Sequence, residues 1–440
     1  MRYIKWIDGA YLTLLVVACL LVYGAWLKLT FEPRYFDKHY MSFGKFWSVG
    51  RIVFSPQRER LYDPYYQRER LSEIVDPKVL PQVKEWGGIM VFPEGFAEHP
   101  PHFIMMFAPF TVFPPEVAVR AYTLVTTVAG VAGIWWLGRV LGTLRLAQVL
   151  ALSVGAMASF PSRYALMLGQ PAWLLTGLIA VYFGMWFRGN GVVAGLLLSW
   201  MTIKPQYPIF YGLPALITRR WKIVVAAVCG GLAVLALCCA VVGVKTMQGY
   251  FPLIAHGNSD AAYATNDNGM PSVRGILSTN VDPVLGIKVG ALCTLAALVA
   301  LAWVWWRTEK RGMDARWAFC ITLLCSIVFS PHTFRYDELI LVLAPALTMT
   351  SLSLGWSRAA ARESWEFTVW RYLWITYPLV TFLYGIFFIG QLGMEAGGRV
   401  NNLLEFVTNL LLLFLAARLW WRGGYNLKTE PVSAVEPLTE

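Results

Sequence analysis

The side chains able to do chemistry in this sequence are few, and they gather between apolar runs rather than within them. The five histidines are His39, His99, His102, His256 and His332. They share short polar segments with the other reactive groups. In order these are Asp37-Lys38-His39-Tyr40, Tyr62-Asp63-Pro64, His99-Pro100-Pro101, Gly169-Gln170, Lys204-Pro205-Gln206, Asn266-Asp267-Asn268-Gly269, and Ser330-Pro331-His332 leading to Arg335-Tyr336-Asp337. Carboxylates and imidazoles of this kind transfer protons. Each group also has a plainer reading. Asp37 caps the helix that follows, Asp63 before Pro64 marks a turn, and His99 and His102 shape a loop around two prolines. Lys204 snorkels to headgroups, and Arg335 pairs with Asp337 or Glu338. The histidines lack metal-ligand spacing on one element. The sequence has no glycine-rich loop of the P-loop type and no nucleophile elbow.

The elements that must position these groups are membrane helices. Of 440 residues, 57% are hydrophobic and only 14% charged, against about a quarter charged in soluble domains. The fold expected is an all-α polytopic bundle of about a dozen transmembrane helices. Spans are expected near 7–29, 116–138, 146–160, 171–187, 191–203, 206–218, 222–244, 285–306, 317–331, 336–355, 372–393 and 402–421. The two on either side of Lys204-Pro205 are short, as helices beside a cavity are when protein rather than lipid surrounds them. Phe103–Phe113 is shorter still and reads as re-entrant or interfacial. The first run is long for a signal peptide and lacks a small-residue cleavage site, so it is expected as a retained helix. Residues 30–102 form a large loop. Phe36, Tyr40, Phe43 and Trp47 recur there at helical spacing, which predicts an amphipathic helix lying in the interface. One membrane domain spans 1–425, and 426–440 is a polar, proline-containing tail.

Charge gives the orientation. Arg139, Arg145, Arg188, Arg219, Arg220, Lys222, Arg307, Lys310, Arg311, Arg316, Arg358, Arg418 and Arg422 fall in one set of short loops. The opposite set holds far fewer, among them Arg163, Lys204, Lys245, Arg274, Arg335 and Arg399. The first set is therefore expected in the cytoplasm, with both termini inside, and every histidine then falls outside. The formal charge of +11 is spent on these orienting clusters and on lipid headgroups. No nucleic-acid module is present. The seven cysteines all sit in apolar runs and read as packing residues, not as disulfides or metal ligands.

The order of the polar motifs resembles glycosyltransferase family 87 within the GT-C superfamily of membrane glycosyltransferases. The resemblance rests on Asp37 with Tyr40, Tyr62-Asp63-Pro64, and Pro100-Pro101 continuing through Ala108-Pro109 to Pro114. It continues in Gly169-Gln170, Lys204-Pro205, Arg219-Arg220-Trp221 and Ser330-Pro331. It departs at His99, where many members carry an aromatic, and at Tyr336-Asp337, where mannosyltransferases carry a histidine. The resemblance implies an inverting transferase at the outer face of the cytoplasmic membrane. It would move a sugar, mannose by default, from a polyprenyl-phosphate donor to a hydroxyl on a lipid or glycan, without nucleotide, cofactor or obligate metal. It implies Asp37 as the general base, with Tyr40, His99, Gln170, Lys204, His332, Arg335, Tyr336 and Asp337 binding substrate. Lys204, Arg335 and His332 would support charge developing on the departing phosphate. A transporter or flippase of lipid-linked sugars is the rival. Such a protein needs polar groups on several spans, where the sequence offers chiefly Glu405.

Overall fold

A computed structural model describes residues 33–141 (with short gaps between 76 and 98), 146–257, 269–354 and 365–423, together with Val17, Leu21 and Gly24. The side chains of 33–42 and 378–398 are outside the description. Most of the expected first span, Asn266-Asp267-Asn268 and the C-terminal tail also lie outside the described residues.

The large loop opens with α1 (Pro33–Val53), followed by α2 (Pro64–Leu71). Pro33 is already helical where the described part of α1 begins. Asp37 therefore sits four residues inside α1, which removes the capping reading. Asp63 does cap: it accepts from Tyr65 N and Tyr66 N at 3.0 and 3.1 Å. The fold is all-helical as expected, with one small antiparallel hairpin, β1 (Lys84–Trp86) and β2 (Ile89–Val91), in this loop. From Phe43 onward, α1 is more enclosed than the two-sided pattern expected of an interfacial helix. Phe43, Phe46, Val49, Ile52 and Val53 are all buried, and protein wraps the helix on several sides.

The Phe103–Phe113 stretch is two short pieces, α3 (Pro101–Met105) and a 3-10 turn Ala108–Val112. Both fold against α1, where Trp47 Nε1 donates to Phe113 O at 3.2 Å. The bundle follows as α4 (Pro115–Leu141), α5 (Leu146–Ala158), α6 (Phe160–Leu168), α7 (Ala172–Phe187), α8 (Gly191–Trp200) and α9 (Gln206–Ile217). It continues with α10 (Trp221–Val242), α11 (Val244–Gly257), α12 (Val273–Asn280), α13 (Pro283–Arg311), α14 (Ala315–Val328), α15 (Leu343–Leu354) and α16 (Trp365–Gly423). Among the described residues, four helical segments are long and apolar enough to cross a membrane: α4, α10, α13 and Arg399–Arg422. Helix α6 stands where the sequence suggested a loop. Close helix approach comes from small residues, as is usual in membrane bundles. A Cβ on Gly133 of α4 would come within 2.7 Å of Gly177 Cα on α7.

Helical backbone runs through all 59 residues of α16, where the sequence suggested two spans. A straight helix of that length would extend ~88 Å. Yet Glu366 lies 3.1 Å from Arg418 and 2.8 Å from Arg422, and Tyr377 and Asn409 both bond Glu338. The helix must double back between Tyr377 and Asn409, giving two antiparallel passes.

The basic loop ends of the helices share one end of the bundle, packed among tryptophans. Arg220 lies 4.1 Å from the Trp186 ring, Arg307 lies 3.9 Å from that of Trp421, and Trp186 packs on Trp305 at 5.4 Å. The polar motifs at 99–101, 169–170, 204–206 and 330–337 collect at the other end.

Candidate functional site

Two chain breaks build the polar end. Helix α8 tightens into a 3-10 turn Met201–Ile203, and Lys204 then turns extended ahead of Pro205, which starts α9. The residue before a proline avoids helical geometry, so Pro205 accounts for the break. Beyond α14, the chain crosses as Ser330–Phe334 into a 3-10 helix, Arg335–Val342. Gln206 Nε2 donates to His332 O at 2.6 Å and Arg274 Nη1 to Pro331 O at 3.0 Å. These bonds fix the second break against the first.

Between them lies a buried ion pair. Lys204 Nζ is 2.5 Å from Asp337 Oδ1, and the side chains are 6% and 0% exposed. The other Asp337 oxygen accepts from Phe334 N at 3.0 Å. The ammonium also stands 4.2 Å above the Tyr336 ring, itself stacked between Phe334 and Tyr164. An ammonium has three donors, so Asp337 leaves Lys204 with capacity for a further anion.

Arg335 is placed differently. Its Nε donates to Asn402 Oδ1 at 2.8 Å and lies 3.1 Å from Glu405 Oε2. Its guanidinium is held by the α16 hairpin, whereas Lys204 is held by Asp337. Glu405 is thus the partner of Arg335 and not an isolated charge in a span.

The histidines of the site are neutral groups. Burial, reinforced by Arg274 and Lys204, pulls the His332 imidazole down to about 3. Burial first, then Lys45, Lys204 and His332, holds His99 well below its ordinary range. The mutual effects mean that His99, His332 and Lys204 share one neighbourhood. At neutral pH the imidazoles offer hydrogen bonds and not positive charge. His99 stacks on Phe103 at 4.4 Å and meets Phe46 edge-on at 4.9 Å, while its carbonyl accepts from Tyr62 OH at 2.7 Å. Its Nδ1 is buried without a hydrogen-bond partner. His102 Nε2 lies 3.1 Å from Thr202 Oγ1, which ties α3 to the turn before Lys204.

Gln170 follows Gly169, the left-handed C-cap of α6 with φ +61°. Its backbone N–H donates to Ala165 O at 2.9 Å, while the carboxamide Oε1 is buried and unbonded. Gly169 packs directly on Phe43 of α1, so α1 is docked beside Gln170. Asp37 and Tyr40 belong to the same helix, less than two turns before Phe43; their side chains lie outside the description.

The structure thus brings His99, Lys204, His332, Tyr336 and Asp337 together and docks α1 beside Gln170. It turns Arg335 away. Sequence reasoning missed Glu338, Tyr377, Asn401, Asn402 and Asn409, all buried against the same turn. The available signal was Asn401-Asn402, Glu405 and Asn409, polar residues on successive turns inside an apolar run. Among the described residues, no three His, Cys, Asp or Glu side chains gather as metal ligands would.

A search of curated proteins finds none that matches. A family model does match, over residues 96–331, more than half of the chain. It takes in the His99-Pro100-Pro101 segment, Gln170 and the Lys204 break, and it stops at Pro331, at the threshold of the second break. Its description and the apolar helices agree, and the chain belongs to glycosyltransferase family 87, as a membrane glycosyltransferase.

Proposed function

We propose that this protein moves a sugar from a polyprenyl-phosphate donor to a hydroxyl on a lipid or glycan, at the outer face of the cytoplasmic membrane. Mannose is the default sugar. The acceptor oxygen attacks the anomeric carbon from the face opposite the phosphate, Asp37 takes the hydroxyl proton, and the carbon–oxygen bond to phosphate breaks. The configuration inverts and polyprenyl phosphate departs as the anion. A phosphate leaving group needs no proton, only donors aimed at the growing charge. Lys204 supplies them, with the neutral imidazoles of His99 and His332 and the Gln170 carboxamide nearby for sugar hydroxyls.

The observation that carries this reading is the pair of helix breaks at Lys204 and at 330–334. They open on the end of the bundle opposite the basic loops, where helices too short to span alone stop. A lipid-borne phosphate reaches such a place from the bilayer side, and an acceptor reaches it from water. The buried polar groups around Arg335 favour a second reading, a transporter of lipid-linked sugars, since charges among spans commonly mark transport paths.

Purified protein in lipid nanodiscs, given synthetic polyprenyl-phosphate sugars and a panel of acceptors, separates the two by mass spectrometry. Transfer is expected; movement of the donor across vesicles with no product would support the transporter. In the same assay Asp37→Asn should bind donor and lose on the order of 10²–10⁴ in rate. Asp63→Asn should keep its activity, because Asn caps a helix as well as Asp. Near-normal transfer by Asp37→Asn, with Asp63→Asn inactive, would move the base elsewhere.

A further inference from the structure

The 3-10 helix that carries Asp337 is gripped from its far side by the α16 hairpin. At one residue, Arg335 Nε donates to Asn402 Oδ1 at 2.8 Å beside Glu405 at 3.1 Å, and Asn401 Nδ2 donates to Glu405 Oε1 at 2.9 Å. At another, Glu338 accepts from Asn409 Nδ2 at 2.6 Å and from Tyr377 OH at 3.2 Å. Arg335, Glu338, Asn401, Asn402, Glu405 and Asn409 are all buried. Asp337 lies between these two fixed points, with its own side chain facing the other way, onto Lys204.

We infer that Glu405, Asn402 and Glu338 are positioning residues that hold the Lys204–Asp337 pair in register through the Arg335–Glu338 turn. The hairpin lies wholly beyond the family match, which ends at residue 331, so this assigns a role in the site to a part of the chain outside the matched core. The inference rests on the proposed donor-phosphate role of Lys204.

The physical argument is one of competition. In a low-dielectric interior a guanidinium does not stay without a counter-ion. Arg335 lies against Glu405, with Glu338 of its own turn also within electrostatic reach. Without that charge, the other carboxylates of its own turn are Asp337 and Glu338. An arginine that reaches Asp337 competes with Lys204 for the same oxygens and shifts the ammonium. Displacements of about 1 Å from a productive geometry cost on the order of 10²-fold in rate.

The test is steady-state transfer per folded protein, with folded fraction taken from monodisperse chromatography. Glu405→Gln keeps the shape and removes the charge. It should lower kcat about tenfold to 10²-fold with the acceptor KM unchanged, and Glu405→Asp should recover most of the loss. Should Glu405→Gln fail to fold, Tyr377→Phe, which removes one hydroxyl from Glu338, should lower kcat in the same manner. Normal kcat in a folded Glu405→Gln protein, or in folded Tyr377→Phe, would overturn the inference. A double-mutant cycle of Glu405→Gln with Asp337→Asn, read as thermal midpoints, needs no sugar. Non-additive shifts support the clasp and additive ones overturn it. If the wild-type protein transfers from no polyprenyl-phosphate donor, the proposed function fails while this cycle still decides the clasp.

Discussion

Lys204 and Asp337 are 133 residues apart in sequence and form a buried pair. Two charges out of water attract strongly, but each forfeits several kcal/mol of hydration. The pair holds because the second Asp337 oxygen has the Phe334 N–H and the ammonium has the Tyr336 ring. Removing one partner strands the other. Lys204→Met should therefore cost about 3–5 kcal/mol, while Lys204→Met combined with Asp337→Asn should cost less than the single change. Thermal midpoints in detergent measure this, and additive losses would show that the two side chains do not depend on each other. Lys204 itself was legible as a cation beside Pro205 between apolar runs. Its partner was not, because pairing across so many residues is set by how helices stack. Arg335 shows the same limit: sequence proximity pointed to carboxylates of its own turn, and packing added Glu405 from α16.

Among the elements, α1 decides whether the candidate base reaches the site. The recurrence of Phe36, Tyr40, Phe43 and Trp47 was enough to read it as a helix. Its burial was not legible, because the surfaces that cover it come from the short pieces at 101–113 and from α6, neither of which has a strong periodic signature. The contact with α6 is tight at Gly169. An added Cβ there would stand 2.7 Å from the Phe43 ring and 3.2 Å from its Cα, so rotating the ring cannot relieve it. The left-handed backbone adds roughly 1–2 kcal/mol for any residue with a Cβ. Gly169→Ala should lower the thermal midpoint and raise hydrogen exchange along 43–53, with transfer reduced because Asp37 is carried on the displaced helix. Unchanged exchange in α1 would mean that Gly169 does not hold it. Helices α4, α5, α7 to α10, α13 and α14 start and stop within a few residues of the expected apolar runs, although only four described segments are long and apolar enough to cross a membrane. The departures, α6, α11, α12, the 3-10 helix at Arg335–Val342 and the single helical assignment across α16, fall where polar and apolar residues are mixed.

For the whole molecule, the two ends of the bundle carry opposite characters, and the proposed reaction depends on which side of the membrane each faces. The chain ends of α4, α10 and α13 alternate consistently. Arg139, Trp221 and Arg311 close the basic end, while Pro115, Val242 and Pro283 belong to the end that carries the site. Lys245, just past α10, lies 3.8 Å from Glu59 of the large loop, so this end and that loop share a side. Cytoplasmic loops collect Lys and Arg, so the orientation we propose has the basic end inside and the site outside. Lys245 and Lys310 are both exposed and lie at opposite ends. A cysteine in place of Lys245 should react with a membrane-impermeant thiol reagent in intact cells. A cysteine in place of Lys310 should react only after the membrane is opened. The chain's own cysteines fall within apolar runs, where a charged reagent does not penetrate. Labelling at Lys310→Cys but not at Lys245→Cys would invert the protein. The two helix breaks would then face the cytoplasm, where sugar nucleotides are the abundant donors, and the argument for a polyprenyl-phosphate donor would lose its footing.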